Sequence, residues 1–197
     1  MKKSILIPIL AIALCAALLL GANVVFGAVY RINWQTQHVA DMNTLLPGSE
    51  HFTLEPYSGE DANILSVHKS NVGYVIETNT YGYAGPITVL VGVNKEGKVT
   101  GLVVRDLEET PGLGANALYD AEFLAQFLNK TGSFAIGAPG ADAFSGATAA
   151  ETTGEEIYVD GITGATVTSK AIARCVNSAV GYVTGADVES GATSWGG

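Results

Sequence analysis

The chain opens on a long apolar block and then changes rhythm. After Met1-Lys2-Lys3, residues Ser4 to Tyr30 carry no charge and are broken in polarity only by Asn23. A bilayer core takes roughly 20 helical residues, and the apolar region of a cleaved signal peptide is shorter, about 7–15 residues. The run therefore predicts a retained single-pass membrane helix over residues 1–30. The two lysines set the amino end in the cytoplasm and everything after Tyr30 outside it. Residues 31–48 predict a juxtamembrane helix, with Ile32, Val39, Met42 and Leu46 roughly on one side and Pro47-Gly48 as its stop.

Beyond Gly48 the pattern turns to strands. Phe52, Leu54, Ile64, Leu65 and Val67 suggest short ones, and Gly73 to Glu77 reads as another. Ile87–Val93 and Lys98–Arg105 are β-branched runs separated by Asn94-Lys95-Glu96-Gly97, a good hairpin loop. Both faces of these runs are largely apolar, which predicts a central hairpin covered on both sides. Asp120 to Leu128 predicts a short helix capped by Asp120, with Phe123, Leu124, Phe127 and Leu128 buried. Lys130 to Gly154 is rich in small residues and reads as a flexible surface excursion. Ile157-Tyr158-Val159 ends a strand. From Lys170 to Val183, the recurrence of Ile172, Val176, Val180 and Val183 predicts a helix with one buried face. Residues 186–197 form a small, polar tail expected to fray.

Charge and composition narrow the chemistry. A net charge of −9 excludes nucleic acid as a partner, since neutralising phosphates needs clustered Lys and Arg. Cys15 sits in the apolar block and Cys175 on the late helix, which is no disulfide framework. His38, His51 and His68 lack metal-ligand spacing, so no metal is expected. Catalytic residues are not expected either: no Ser/His/Asp set, paired-carboxylate cleft or Gly-x-Gly-x-x-Gly is present, and no iron–sulfur cysteine set.

The remaining chemistry gathers at Asp160-Gly161-Ile162-Thr163-Gly164-Ala165-Thr166-Val167-Thr168-Ser169. A strand end, a turn of the smallest residues and a helix start follow one another there. A helix N-terminus offers unpaired N–H groups and a positive dipole end, which suits a phosphate. Gly164 and Ala165 leave room for a bulky group, and Thr163, Thr166, Thr168 and Ser169 supply hydroxyls. The plain alternative is a Thr/Ser helix cap. Ser145-Gly146-Ala147-Thr148 and Ser190-Gly191-Ala192-Thr193 repeat the core tetrapeptide, but only Thr166 has strand, Asp160, turn and helix together.

This stretch resembles the flavinylation motif of the RnfG/NqrC family, the FMN-binding domain shared by one component of the Rnf ion-translocating oxidoreductase complex and one of the sodium-pumping NADH:quinone reductase. A second stretch, Glu109-Thr110-Pro111-Gly112-Leu113-Gly114, lies after a Gly-Tyr-x-Gly-Pro-Ile strand and is similar to the family's other signature, beside the flavin. The resemblance implies FMN esterified through its phosphate to Thr166. It also implies cofactor contacts from Thr163, Gly164, Ala165, Thr168, Ser169, Glu109, Thr110, Gly112, Leu113 and Gly114. Asp160 becomes a turn residue or one recognised by the flavin transferase that attaches the FMN. The expected fold is α+β: a single N-terminal transmembrane helix, then an extracytoplasmic FMN-binding domain over residues 49–185 with a mainly antiparallel sheet and packed helices. The implied role is an electron carrier of an Rnf-type ferredoxin:NAD oxidoreductase in the cell membrane, working with its other membrane subunits and not catalytic alone. The quinone-reductase component, a stand-alone anchored FMN module and an anchored domain without flavin are the alternatives.

Overall fold

The computed structural model describes residues 2–112, 114–115, 120–137 and 156–186, with the side chains of 2–11 and 25–35 excepted. Leu113, Asn116, the repeats at Thr148 and Thr193, and the tail from 187 lie outside the described residues. The chain divides into two compact units, Met1–Asp41 and Met42–Gly197. One helix, α1 (Lys2–Leu45), runs unbroken through both expected amino-terminal segments. Among the described residues no helix is long and apolar enough to cross a membrane.

The second unit is built on a five-stranded antiparallel meander in simple order: β1 (Thr53–Glu55), β2 (Ile64–Lys69), β3 (Gly73–Tyr81), β4 (Pro86–Asn94) and β5 (Val99–Leu107). The β4–β5 loop forms as its residues demand. Asn94 Oδ1 accepts from the amides of Glu96 at 3.1 Å and Lys98 at 2.8 Å, the side-chain turn that Asn favours. The hairpin is covered on both faces but is not central, because β5 is the last strand of the sheet. Apolarity on both faces reports cover, not position. The strict alternation of strand side chains sorts the two faces. Val75 and Leu90 pack with Met42, Leu45 and Leu46 from the end of α1. Ile76, Val89, Val91 and Val93 join the larger core beneath the last helix.

β3 continues past Glu77 into Thr78-Asn79-Thr80, which polarity alone disguises. Both threonines turn inward and satisfy their hydroxyls on carbonyls: Thr78 donates to Val89 O at 3.2 Å and Thr80 to Ala171 O at 3.0 Å. Buried hydroxyls so paired avoid the penalty of an unmade hydrogen bond.

A second layer closes the larger core. Asp120 caps α2 (Ala121–Ala125) as expected, its carboxylate accepting from the Phe123 amide at 2.9 Å, but the helix is a single turn that runs on into turns. Phe127 is fully buried and its ring packs against Phe123 and Phe134, worth about 2–3 kcal/mol of transfer free energy. The expectation of an irregular excursion after Lys130 is corrected at its start. Ser133–Ile136 is a strand, β6, paired in parallel with β7 (Glu156–Val159). The Asn177 side chain holds it, donating to Phe134 O at 3.0 Å and accepting from Phe134 N at 2.8 Å. α3 (Thr166–Thr184) starts ahead of the predicted Lys170 and buries Ile172, Val176 and Val180. It ends at Gly185, whose left-handed backbone makes it a helix stop.

Candidate functional site

Three connections meet at one end of the sheet: the β3–β4 turn, the loop after β5, and the turn between β7 and α3. The last is the tightest. Ala165 donates its amide to Ile162 O at 2.9 Å, and Gly164 takes φ 79°, a left-handed conformation that suits glycine. Ser169 knits the turn to the helix. Its hydroxyl donates to Ala165 O and accepts from the Ile162 amide, both at 3.0 Å. Ala165 stands at the cap position without any side-chain cap, and Thr166 is the first helical residue. The plain reading of Thr166 as a helix cap is therefore corrected: its side chain is exposed and makes no cap.

The first backbone bond of α3 runs from the Ser169 amide to Ala165 O at 2.9 Å. The amides of Thr166, Val167 and Thr168 precede it, which is the arrangement that receives an anionic oxygen. Thr163 and Gly164 are exposed beside them, while Ala165, Thr168 and Ser169 are buried. Of the four hydroxyls in the stretch, Thr163 and Thr166 face outward. Those of Thr168 and Ser169 belong to the packing.

The second loop is folded onto the first. The Ala115 amide returns to Thr110 O at 3.2 Å, which closes a turn over Pro111 and Gly112. Thr110, Pro111 and Gly112 are exposed and Gly114 is buried. A Cβ placed on Gly114 would stand 2.6 Å from Thr168 Oγ1 and 2.8 Å from Glu109 Oε2, too close for any real side chain. Glu109 in turn accepts from the Tyr83 amide through Oε1 at 2.6 Å, in a niche that a Cβ on Gly82 would fill. Glu109, Gly114 and Thr168 are thus brought into one cluster at the first turn of α3.

Asp160 sits at the other flank with its backbone clamped. Gln126 accepts from the Asp160 amide at 2.9 Å and donates to its carbonyl at 3.1 Å. The residue is exposed, so its carboxylate is presented outward on a held backbone. Gln126 and Asn177 escaped the reading of the sequence, and Gly82 and Tyr83 entered it only as part of the Gly-Tyr-x-Gly-Pro-Ile strand. One amide side chain in a helix carries no pattern, and a backbone donor carries no residue type. Among the described residues no cluster of metal-ligating side chains occurs. Burial lowers the affinity of the Arg174 guanidinium for its proton and raises that of the Cys175 thiol.

The residues suit an FMN. Small backbone-lined loops approach one another closely, and an outward hydroxyl stands at a helix start. Comparison with known proteins agrees. A family model described as the FMN-binding domain matches residues 82–181. The G component of the Na(+)-translocating ferredoxin:NAD(+) oxidoreductase complex of Acetobacterium woodii is 33% identical over 193 residues, covering 89% of this chain and 87% of its own. The G component of the ion-translocating oxidoreductase complex of Methanosarcina acetivorans is 31% identical over 194 residues, covering 92% of this chain and 94% of its own. The crystal structure of the C component of the Na(+)-translocating NADH-quinone reductase from Parabacteroides distasonis is 29% identical, covers 60% of each chain and superposes with a TM-score of 0.44.

Proposed function

The chain belongs to the FMN-binding G-component family of ion-translocating oxidoreductase complexes, and from that premise we propose that it carries FMN covalently on Thr166 and relays electrons within a membrane-bound ferredoxin:NAD oxidoreductase. The packing of Gly114 on Thr168 carries this reading, because it brings the second signature loop onto the first turn of the helix whose opening residue, Thr166, stands outward. FMN supplies the electron transfer; the protein binds, orients and exposes it. The amides of Thr166 to Thr168 and the dipole of α3 favour the phosphate. Thr163, Gly164 and Gly112 line the approach, and Glu109 with Gly114 holds the second loop against α3.

A separate flavin transferase forms the ester, with Asp160 as a recognition residue presented on the backbone that Gln126 holds. Expression without that transferase yields colourless protein. The uncharged run from Ser4 to Tyr30 and the continuity of α1 support a single-pass anchor, with the amino end cytoplasmic and the FMN domain outside. The full chain, extracted from native membranes in mild detergent, is expected to purify together with polytopic subunits. Recovery of a flavin-bearing chain without them contradicts assignment to a complex and leaves a stand-alone FMN module.

A further inference from the structure

We propose that Glu109 is a positioning residue that locks the β3–β4 turn to the loop over Gly114, and that it acts on the flavin through the Tyr83 backbone and Gly114 rather than by touching it. The proposal rests on the covalent-FMN reading above. Its geometry does not. Glu109 Oε1 accepts from the Tyr83 amide at 2.6 Å, a short, charge-assisted hydrogen bond at an exposed position. Two glycines make the pocket for this carboxylate. A Cβ on Gly82 would collide with Oε1, and a Cβ on Gly114 would lie 2.8 Å from Oε2. The same Gly114 position would lie 2.6 Å from Thr168 Oγ1, and Thr168 is on the first turn of α3, two residues from Thr166.

A continuous chain of contacts results: Tyr83 amide, Glu109 carboxylate, Gly114, Thr168. It ties the hairpin turn to the helix that bears Thr166. The first link is a hydrogen bond of 2.6 Å, and at the others glycine stands where a side chain would intrude. The Tyr83 ring meanwhile is 76% exposed, so its backbone and not its ring is what the lock holds. Besides this carboxylate, the loop is tied to the start of β4 by the Glu108 amide on Pro86 O at 3.3 Å and closed on itself by the Ala115 amide on Thr110 O at 3.2 Å. With the carboxylate in place, the loop and the β3–β4 turn are held together while Gly114 rests on α3, which favours presenting a cofactor in a single orientation.

The test compares Glu109→Gln and Glu109→Ala in the full chain, co-expressed with a flavin transferase and solubilised in detergent. Glutamine keeps the shape and an acceptor oxygen, and alanine keeps neither. The readouts taken are hydrogen–deuterium exchange of the peptide carrying Tyr83, covalent flavin on a denaturing gel, and two flavin properties read together as the third, visible circular dichroism and the potential. Glu109→Ala is expected to speed exchange at Tyr83 by up to about tenfold, since this exposed hydrogen bond competes with water. It should also weaken the visible dichroism while the flavin stays attached. Glu109→Gln should stay near wild type in all three. Should Glu109→Ala fail to fold, Gly82→Ala takes its place: its methyl group displaces the carboxylate without removing it, at the cost of also pressing on Ile87 Cδ1, and it is expected to show the same loss of Tyr83 protection.

A Glu109→Gln protein whose potential shifts as far as that of Glu109→Ala overturns the proposal, since the charge would then act on the flavin directly. Unchanged Tyr83 exchange in Glu109→Ala overturns it as well. A wild type without covalent flavin defeats the Thr166 reading and the link to flavin. Tyr83 exchange, which needs no flavin, distinguishes that failure from a failure of the lock.

Discussion

Gly114 lies flat against the hydroxyl of Thr168, so closely that a Cβ on the glycine would come within 2.6 Å of it. Two segments far apart in sequence are joined there by the absence of a side chain. Gly114→Ala should therefore force the loop away from α3. The expected cost is about 1–3 kcal/mol of stability, with less flavin attached at Thr166. Gly112→Ala is the control: its Cβ would meet nothing, and only its φ of 82° opposes it, at about 1–2 kcal/mol. Urea unfolding reads both costs and gel fluorescence reads the loading. Gly112 lines the proposed approach to the flavin, so Gly112→Ala is a control for stability, and for loading Gly114→Ala is compared with wild type. Wild-type loading in Gly114→Ala contradicts the contact.

Gln126 holds the Asp160 backbone as a strand partner would, with one donor and one acceptor on the same residue. Gln126→Ala is expected to cost about 1 kcal/mol, since the exposed bonds compete with water. Gln126→Glu keeps an acceptor for the Asp160 amide but sets an oxygen against its carbonyl. It should be no more stable than alanine in a urea titration at neutral pH. A Glu variant as stable as wild type would show that the clamp's donor half contributes nothing.

Asn177 does the same for β6 at Phe134. Asn177→Ala leaves both Phe134 backbone groups without this partner and should cost about 1–3 kcal/mol. Exchange at the Phe134 amide should rise more than exchange in β4. Uniform change across the domain would indicate global destabilisation instead of a local clamp.

The Cys175 thiol is held above its ordinary value of 9.0, first by burial, against weaker opposing hydrogen bonds from Thr80 and Thr78. Above that value the unfolded chain ionises its thiol while the folded chain keeps the proton. The unfolded state then binds fewer protons, so stability falls as pH rises. Below it, this contribution is fully present. Tyr182 is raised in the same sense, also by burial. The difference between wild type and Cys175→Ala isolates the thiol: the stability advantage of wild type should shrink between neutral pH and about pH 10.5. An advantage that stays constant contradicts a thiol kept neutral by burial.

What the sequence makes legible here follows from how local each signal is. The Asn94–Gly97 loop and the Asp120 cap are readable because side chain and backbone partner lie within four residues. β6 is not, because Ser133–Ile136 becomes a strand only through a parallel partner and a distant Asn177. β3 looks shorter than it is, since Thr78 and Thr80 find their acceptors across the sheet and on α3. At the site, the motif locates Thr166, Thr168 and Ser169 together but not their directions. Helix geometry turns Ser169 inward onto Ala165 and Ile162 and leaves Thr166 outward.

The central claim is that Thr166 bears the flavin. The direct measurement is ultraviolet-excited fluorescence of the protein band on a denaturing gel, with wild type, Thr166→Ala and Thr148→Ala each co-expressed with a flavin transferase of proven activity. Fluorescent wild-type and Thr148→Ala bands beside a dark Thr166→Ala band are predicted. A dark wild-type band, or a Thr166→Ala band that still fluoresces, contradicts the account.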